Sequence, residues 1–164
     1  MISHHQHIIH KILTTETLTE VLKLWKESDE KIVFTNGCFD LIHRGHVDYL
    51  AKAADMGTKL IIGINTDASV NELKGNHRPI QDEYTRQFIL AAFEFVDAVI
   101  LFGEQTPYEL IKFIQPDVLV KGSDYKPEDI VGYDIVKSKG GEIKTIDFLP
   151  GFSTSLIEKK IKNS

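Results

Sequence analysis

The chain of 164 residues has one cysteine, one tryptophan, five prolines and three arginines, and apolar runs such as Ala98–Phe102 are no longer than a strand. A lone thiol, Cys38, excludes an internal disulfide. Runs this short exclude a membrane-spanning helix, which needs roughly 20 consecutive apolar residues. The first ten residues lack both the basic start and the unbroken apolar stretch of a secretory signal, so a cytoplasmic chain is expected. Positive charge is also scarce. Nineteen lysines and arginines face 24 acidic residues for a net charge of −5, which disfavours a general nucleic-acid partner. All three arginines, Arg44, Arg78 and Arg86, fall in one stretch, where an anionic ligand would be held. What remains, 42% apolar and 26% charged residues, suits one domain with its own core.

Residues 1–10 carry four histidines, His4, His5, His7 and His10. No patterned segment surrounds them, so a frayed tail is the reading preferred over a metal site, and a single domain is expected over residues 11–164. Leu18, Val21, Leu22 and Trp25 repeat at helical spacing within a leading helix over 15–28, with Thr17 and Glu20 spaced as a capping box. Strand-like runs follow at Lys31–Thr35, Lys59–Ile64, Ala98–Phe102, Val118–Lys121 and Glu142–Ile146. Helical patterns alternate with them at Gly45–Met56, Ala68–Leu73, Asp82–Phe95, Pro107–Ile114 and Tyr133–Lys139. Gly57 and Gly140 stand where a helix end favours a left-handed residue, and Thr106 and Pro107 read as N-cap and first helical residue. The alternation predicts an α/β fold: a five-stranded parallel sheet with helices on both faces. Ligands of such sheets bind beyond the carboxyl ends of the strands, where strand order reverses.

The loop after the first strand reads Thr35-Asn36-Gly37-Cys38-Phe39-Asp40-Leu41-Ile42-His43-Arg44-Gly45-His46. His43 and His46 are three apart at a helix start, so both rings can share one face near the positive end of the helix dipole. Helix capping or packing would account for the same spacing. Neither the G-x-G-x-x-G nor the P-loop pattern follows the strand, and no common zinc pattern fits the two histidines. Lys74, Arg78 and the less favoured Arg86 are candidate phosphate ligands, with an ordinary charged loop as the alternative. After the fourth strand, Lys121-Gly122-Ser123-Asp124 permits close backbone approach, yet a tight charged turn reads equally well. Ser153 and Thr154 open the last helix, where capping alone would explain them. Cys38 has no identifiable base beside it, which argues against a nucleophile.

The His43-Arg44-Gly45-His46 segment resembles the HxGH motif of the nucleotidyltransferase superfamily, whose fold is a Rossmann-like three-layer α/β sandwich. Taken with INTDASVNELKGNHRPI, LVKGSDYKPEDIVG and GFSTS, the likeness from about Lys11 to Lys162 is to the D-glycero-β-D-manno-heptose 1-phosphate adenylyltransferases of lipopolysaccharide core biosynthesis. Glycerol-3-phosphate cytidylyltransferases are similar in the motif, but Asp147-Phe148-Leu149-Pro150 stands here in place of their arginine-threonine pair. The resemblance implies ATP and a sugar 1-phosphate as substrates and Mg²⁺ as the ion accompanying ATP. It further implies a homodimer. Many members of the family are fused behind a ribokinase-like sugar kinase for which 164 residues are too few, so the kinase step is expected of a separate protein. His43, His46 and Lys74 would act in catalysis. Thr35, Asn36, Gly37, Cys38, Phe39, Asp40, Gly45, Arg78, Lys121, Gly122, Asp124, Ser153 and Thr154 would contact the nucleotide, and no residue is assigned to the metal. The rival readings are a CTP-dependent cytidylyltransferase acting on a polyol phosphate and a nucleotide-binding module without turnover.

Overall fold

All five expected strands form, and a sixth joins them. The computed structural model describes residues 2–163. Along the chain lie α1 (His4–Ile9), β1 (Ile12–Leu13), α2 (Thr15–Glu27), β2 (Ile32–Gly37), α3 (Arg44–Ala54), β3 (Lys59–Asn65), α4 (Asp67–Lys74) and α5 (Glu83–Ala91). They continue as β4 (Ala98–Phe102), α6 (Tyr108–Ile114), β5 (Val118–Gly122), α7 (Tyr133–Ser138), β6 (Glu142–Ile146) and α8 (Thr154–Lys162). The sheet runs β1-β4-β3-β2-β5-β6, and every pairing is parallel.

Side chains alternate across the sheet, as the two-residue period of a strand requires. Val33, Leu60, Ile62, Ile64, Val99, Val118 and Val120 pack with Leu50 and Ala53 of α3 and Leu90 and Ala91 of α5. Their neighbours Ile32, Phe34, Ile61, Ala98, Ile100 and Leu119 pack on the other face with Leu18 and Leu22 of α2, Ile111 and Ile114 of α6, and Val136 of α7. Burial on both faces explains why the strands read as nearly continuous apolar runs.

Strand order reverses beside β2. It pairs with β3 along its whole length, from Ile32 opposite Lys59 to Gly37 opposite Ile64, but with β5 only at Val33 and Phe34. Thr35, Asn36 and Gly37 therefore have no ladder partner on the β5 side, and the sheet opens into a crevice there. This is the topological switch point at which open α/β sheets bind ligands.

Several local expectations are corrected. The sheet has six strands, because Ile12 and Leu13 pair with Val99 and Ile100. The histidine-rich start, expected as a frayed tail, contains a helix: the Ser3 hydroxyl accepts from the Gln6 amide at 3.2 Å, and Gln6 Oε1 accepts from the Ser3 amide at 3.1 Å. Its His5 ring lies 5.7 Å from that of Phe88. The capping box of α2 uses Thr14 and Thr17, one turn before the pair read from sequence. Helix α5 ends at Ala91, short of Phe95. Pro107 itself is the N-cap of α6. Gly140 has a left-handed φ of 81°, whereas Gly57 does not adopt that conformation. Its requirement is space, since a Cβ there would lie 2.5 Å from the Lys31 carbonyl oxygen.

Candidate active site

The loop leaving β2 is built from backbone outward. Phe39 takes a left-handed φ of 49°, costly for a bulky side chain and sustained only where surrounding contacts enforce it. Arg86 supplies such contacts. Its guanidinium, fully buried, donates to the carbonyls of Cys38 (2.8 Å), Asn65 (2.8 Å) and Gln81 (3.1 Å) and to the Asp67 carboxylate (2.8 Å). This ties the ends of β2 and β3 together. Asp40, also buried, accepts from the amides of Ile80 and Gln81 at 2.9 Å and from Arg78 at 2.5 Å. Burial works to raise the Asp40 carboxyl, but these donors outweigh it and hold the group below its ordinary value. Both arginines read as phosphate ligands are thus occupied by the protein: Arg86 is structural, and Arg78 bridges Asp40 and Glu158.

At the amino end of α3 the two histidines lie ring on ring, 3.8 Å between centroids and 19° from parallel. Phe39 meets His46 edge-on at 5.3 Å. Three residues bring the rings to one face of the first turn, and Gly45 between them leaves the space: a Cβ there would sit 3.1 Å from the His43 ring. His43 occupies the N-cap position without a capping hydrogen bond from its side chain, so helix amides remain open to an anion. Burial lowers the His43 pKa. It lowers that of His46 further, to about 4, with added repulsion from His43 and Lys74. His46 is therefore neutral near pH 7. The Nδ1 atoms of both rings are buried and have no hydrogen-bond partner, as is Oδ1 of Asn36. Buried polar atoms are rarely left so unless a ligand or water completes them.

These groups border a cavity of about 600 Å³, ample for a nucleotide. His43, His46 and Lys74 line one side; Lys121, Gly122 and Asp124 from the end of β5 line another; Ser153 and Thr154 reach it from α8. Asn36, Gly37, Cys38, Phe39, Asp40 and Gly45 complete the set gathered from the sequence reading. Two nominated residues fall outside it. Thr35 is buried with its hydroxyl 2.8 Å from that of Tyr49, and Arg78 is engaged as described. Lys121 is a cation pressed into the wall, its pKa lowered by burial to about 8 and partly restored by Asp124. It still carries charge near pH 7.

The sequence reading missed the aromatic part of the lining, Tyr49, Tyr125, Phe148 and Phe152, with Leu149 beside them. Phe148 lies on Gly122, where a Cβ would come within 2.2 Å of its ring, so that glycine makes room for a side chain of the protein. The signal available was the apolar Phe148-Leu149 pair in the loop just after the last strand, on the side where ligands of such sheets bind. No cluster of three or more metal-ligating side chains exists among the described residues. With Asp40 occupied, Asp124 is the carboxylate of the lining left open. That suits a divalent ion carried chiefly by phosphate oxygens, with at most one protein ligand.

The chain matches the family model for cytidylyltransferase-like proteins over residues 34–159. The bifunctional protein HldE of Wolinella succinogenes is 50% identical over 162 residues, covering 99% of this chain and 33% of that one. HldE of Campylobacter jejuni subsp. doylei is 56% identical over 144 residues, covering 88% of this chain and 30% of the relative. The chain thus spans about a third of the length of these relatives. Among solved structures, pantoate-beta-alanine ligase from Francisella tularensis shares the fold at a TM-score of 0.62 and 15% identity, covering 92% of this chain and 76% of its own. A lipopolysaccharide core biosynthesis protein from Thermoplasma volcanium does so at 0.58 and 23%, covering 73% and 97%. With its motif histidines at the mouth of the switch-point crevice and the family match spanning that crevice from β2 to α8, the chain belongs to the cytidylyltransferase-like family.

Proposed function

We propose that this chain transfers the AMP moiety of ATP to D-glycero-β-D-manno-heptose 1-phosphate, giving ADP-heptose and pyrophosphate. The observation that carries the reading is the stacked pair His43 and His46, with their Nδ1 atoms buried and unpartnered, at the open amino end of α3. The substrates are taken from the sequence resemblance, which the high identity to the HldE relatives supports. An oxygen of the sugar phosphate attacks the α-phosphorus in line and pyrophosphate leaves. No covalent enzyme intermediate is needed.

Both reactants are anions, so the protein's work is to align them and offset charge growing at the α-phosphate and the leaving group. The neutral rings donate hydrogen bonds to phosphate oxygens. The Leu41 backbone also bonds the His46 ring, whereas no protein group meets Nδ1 of His43, so at His43 the ligand sets which nitrogen carries the proton. Lys74 meets the triphosphate from the end of α4, and Lys121 supplies charge from β5. Mg²⁺ would be held by the phosphates with Asp124, neutralising part of their charge. The homodimer expected from the sequence remains part of this proposal.

The test is pyrophosphate release from ATP, CTP, GTP or UTP, each with β-heptose 1-phosphate and with glycerol 3-phosphate, with and without Mg²⁺. Release with ATP and the heptose phosphate, dependent on metal, is the expected result. Release confined to CTP and glycerol phosphate would keep the mechanism and replace the substrates, and no release in any pairing would leave a binding module.

A further inference from the structure

Helix α8 places Ser153 and Thr154 on the cavity wall, yet none of its residues is buried. Leu156 and Ile161 are 45% and 66% exposed; Ile157 is half-buried and Phe152 before the helix lies against Gly45 and Arg44, so apolar contact holds the start of the helix more than its later turns. Its second turn instead carries Glu158, which forms an ion pair with Arg78. The exposures of the paired side chains, 14% for Arg78 and 27% for Glu158, place them in a partly dry contact. The other end of the same guanidinium holds Asp40, whose carboxylate also takes the Ile80 and Gln81 amides. One arginine thus joins three segments: the motif loop, the connection from α4 to α5, and α8. A planar guanidinium can serve two carboxylates at once, which an ammonium cannot do with fixed direction.

We infer that Glu158 is a positioning residue: through Arg78 it docks α8 against the Asp40 loop and so keeps Ser153 and Thr154 at the phosphate end of the cavity. The kinetic arm of this inference rests on the proposed transferase reading; the docking itself does not. Glu158 lies outside the cavity lining.

Glu158→Gln keeps the shape and removes the charge, leaving Arg78 paired with Asp40, while Glu158→Asp keeps the charge on a shorter arm. Amide hydrogen exchange of the substrate-free protein reads the docking of α8. Equilibrium binding of inorganic tripolyphosphate, and KM against kcat for ATP, read the cavity. In Glu158→Gln, α8 should exchange at least about fivefold faster, tripolyphosphate should bind roughly threefold more weakly, and KM for ATP should rise to match with kcat nearly unchanged. Glu158→Asp should recover part of each. Unchanged α8 exchange overturns the inference, as does faster exchange with unaltered binding and KM, which would reduce the pair to a structural tie. If the native chain binds tripolyphosphate but turns nothing over, only the transferase reading falls, and exchange and binding still decide the role of Glu158. A native chain that binds no tripolyphosphate overturns the assignment of Ser153 and Thr154 to a phosphate end of the cavity, and with it the inference, while pyrophosphate release still decides the transferase reading.

Discussion

Replacing Arg86 by methionine removes the donor set that joins β2 to β3 while keeping an apolar stem of similar reach. Three carbonyls, of Cys38, Asn65 and Gln81, lose a charged donor in a region where Arg86 is fully buried. The fourth partner, Asp67, is 40% exposed, and water can replace the arginine there at little cost. Stranding a buried acceptor costs about 1 to 3 kcal/mol, and sparing the guanidinium its own desolvation returns part of that. The sum comes to about 3 to 4 kcal/mol. For a chain of this length that lowers the melting temperature by roughly 10 °C, and urea unfolding should show a lower midpoint with an unchanged slope. Because the Cys38 carbonyl lies in the motif loop, substrate affinity should weaken in the same variant under conditions where it stays folded. Arg86→Lys retains charge without the planar fork and should lose about half as much. A loss below about 1 kcal/mol for Arg86→Met would refute the reasoning, showing that solvent reaches those carbonyls unaided.

His46→Ala should lower turnover more than about tenfold, or about 1.4 kcal/mol of transition-state stabilisation, in steady-state pyrophosphate release. Lys74→Ala should raise KM for the triphosphate by about fivefold or more with a smaller change in kcat, read in the same assay. Gly57→Ala drives a Cβ to 2.5 Å from both the Lys31 carbonyl oxygen and Val33 Cγ2, and calorimetry should show a loss of about 2 to 3 kcal/mol. The depressed pKa of His46 makes stability depend on pH. Above about pH 6.5 the ring is neutral folded and unfolded; below it the unfolded chain takes up a proton that the native ring refuses until about pH 4. Stability should therefore fall as pH drops through that window, by about 2 kcal/mol once partial solvation of the ring is allowed for. His46→Gln should flatten that part of a denaturation series.

Four of the five strands were legible because burial makes each a compact apolar run, β6 at the sheet edge was legible from its isoleucines despite its exposure, and the histidine pair was legible because its geometry is local, three residues on one helical turn. What escaped was short or distant. Strand β1 is two residues long and leaves no periodicity to count. Helix α1 did carry a signal, the Ser3-x-x-Gln6 capping pattern, but its polar histidines masked it. Arg78 and Arg86 read as free cations because Asp40 and the Cys38 carbonyl, which claim them, lie 38 and 48 residues earlier; a buried acceptor satisfied by a remote donor has no trace in local spacing. Thr35 was placed on the site by its neighbours, whereas the alternation of the strand turns its hydroxyl to Tyr49.

The two residues of β1 have a bearing on how the edge of the sheet is protected from other chains. They lie along the outer edge of β4, with the Val99 amide donating to the Lys11 carbonyl at 2.8 Å. Without them the apolar run Ala98–Phe102 would present a row of free amides and carbonyls, a template on which another chain's strand can add. Trimming the chain back to the start of α2 would leave the crevice its residues and uncap that edge, so the lesion would appear as aggregation well before it appeared as lost chemistry.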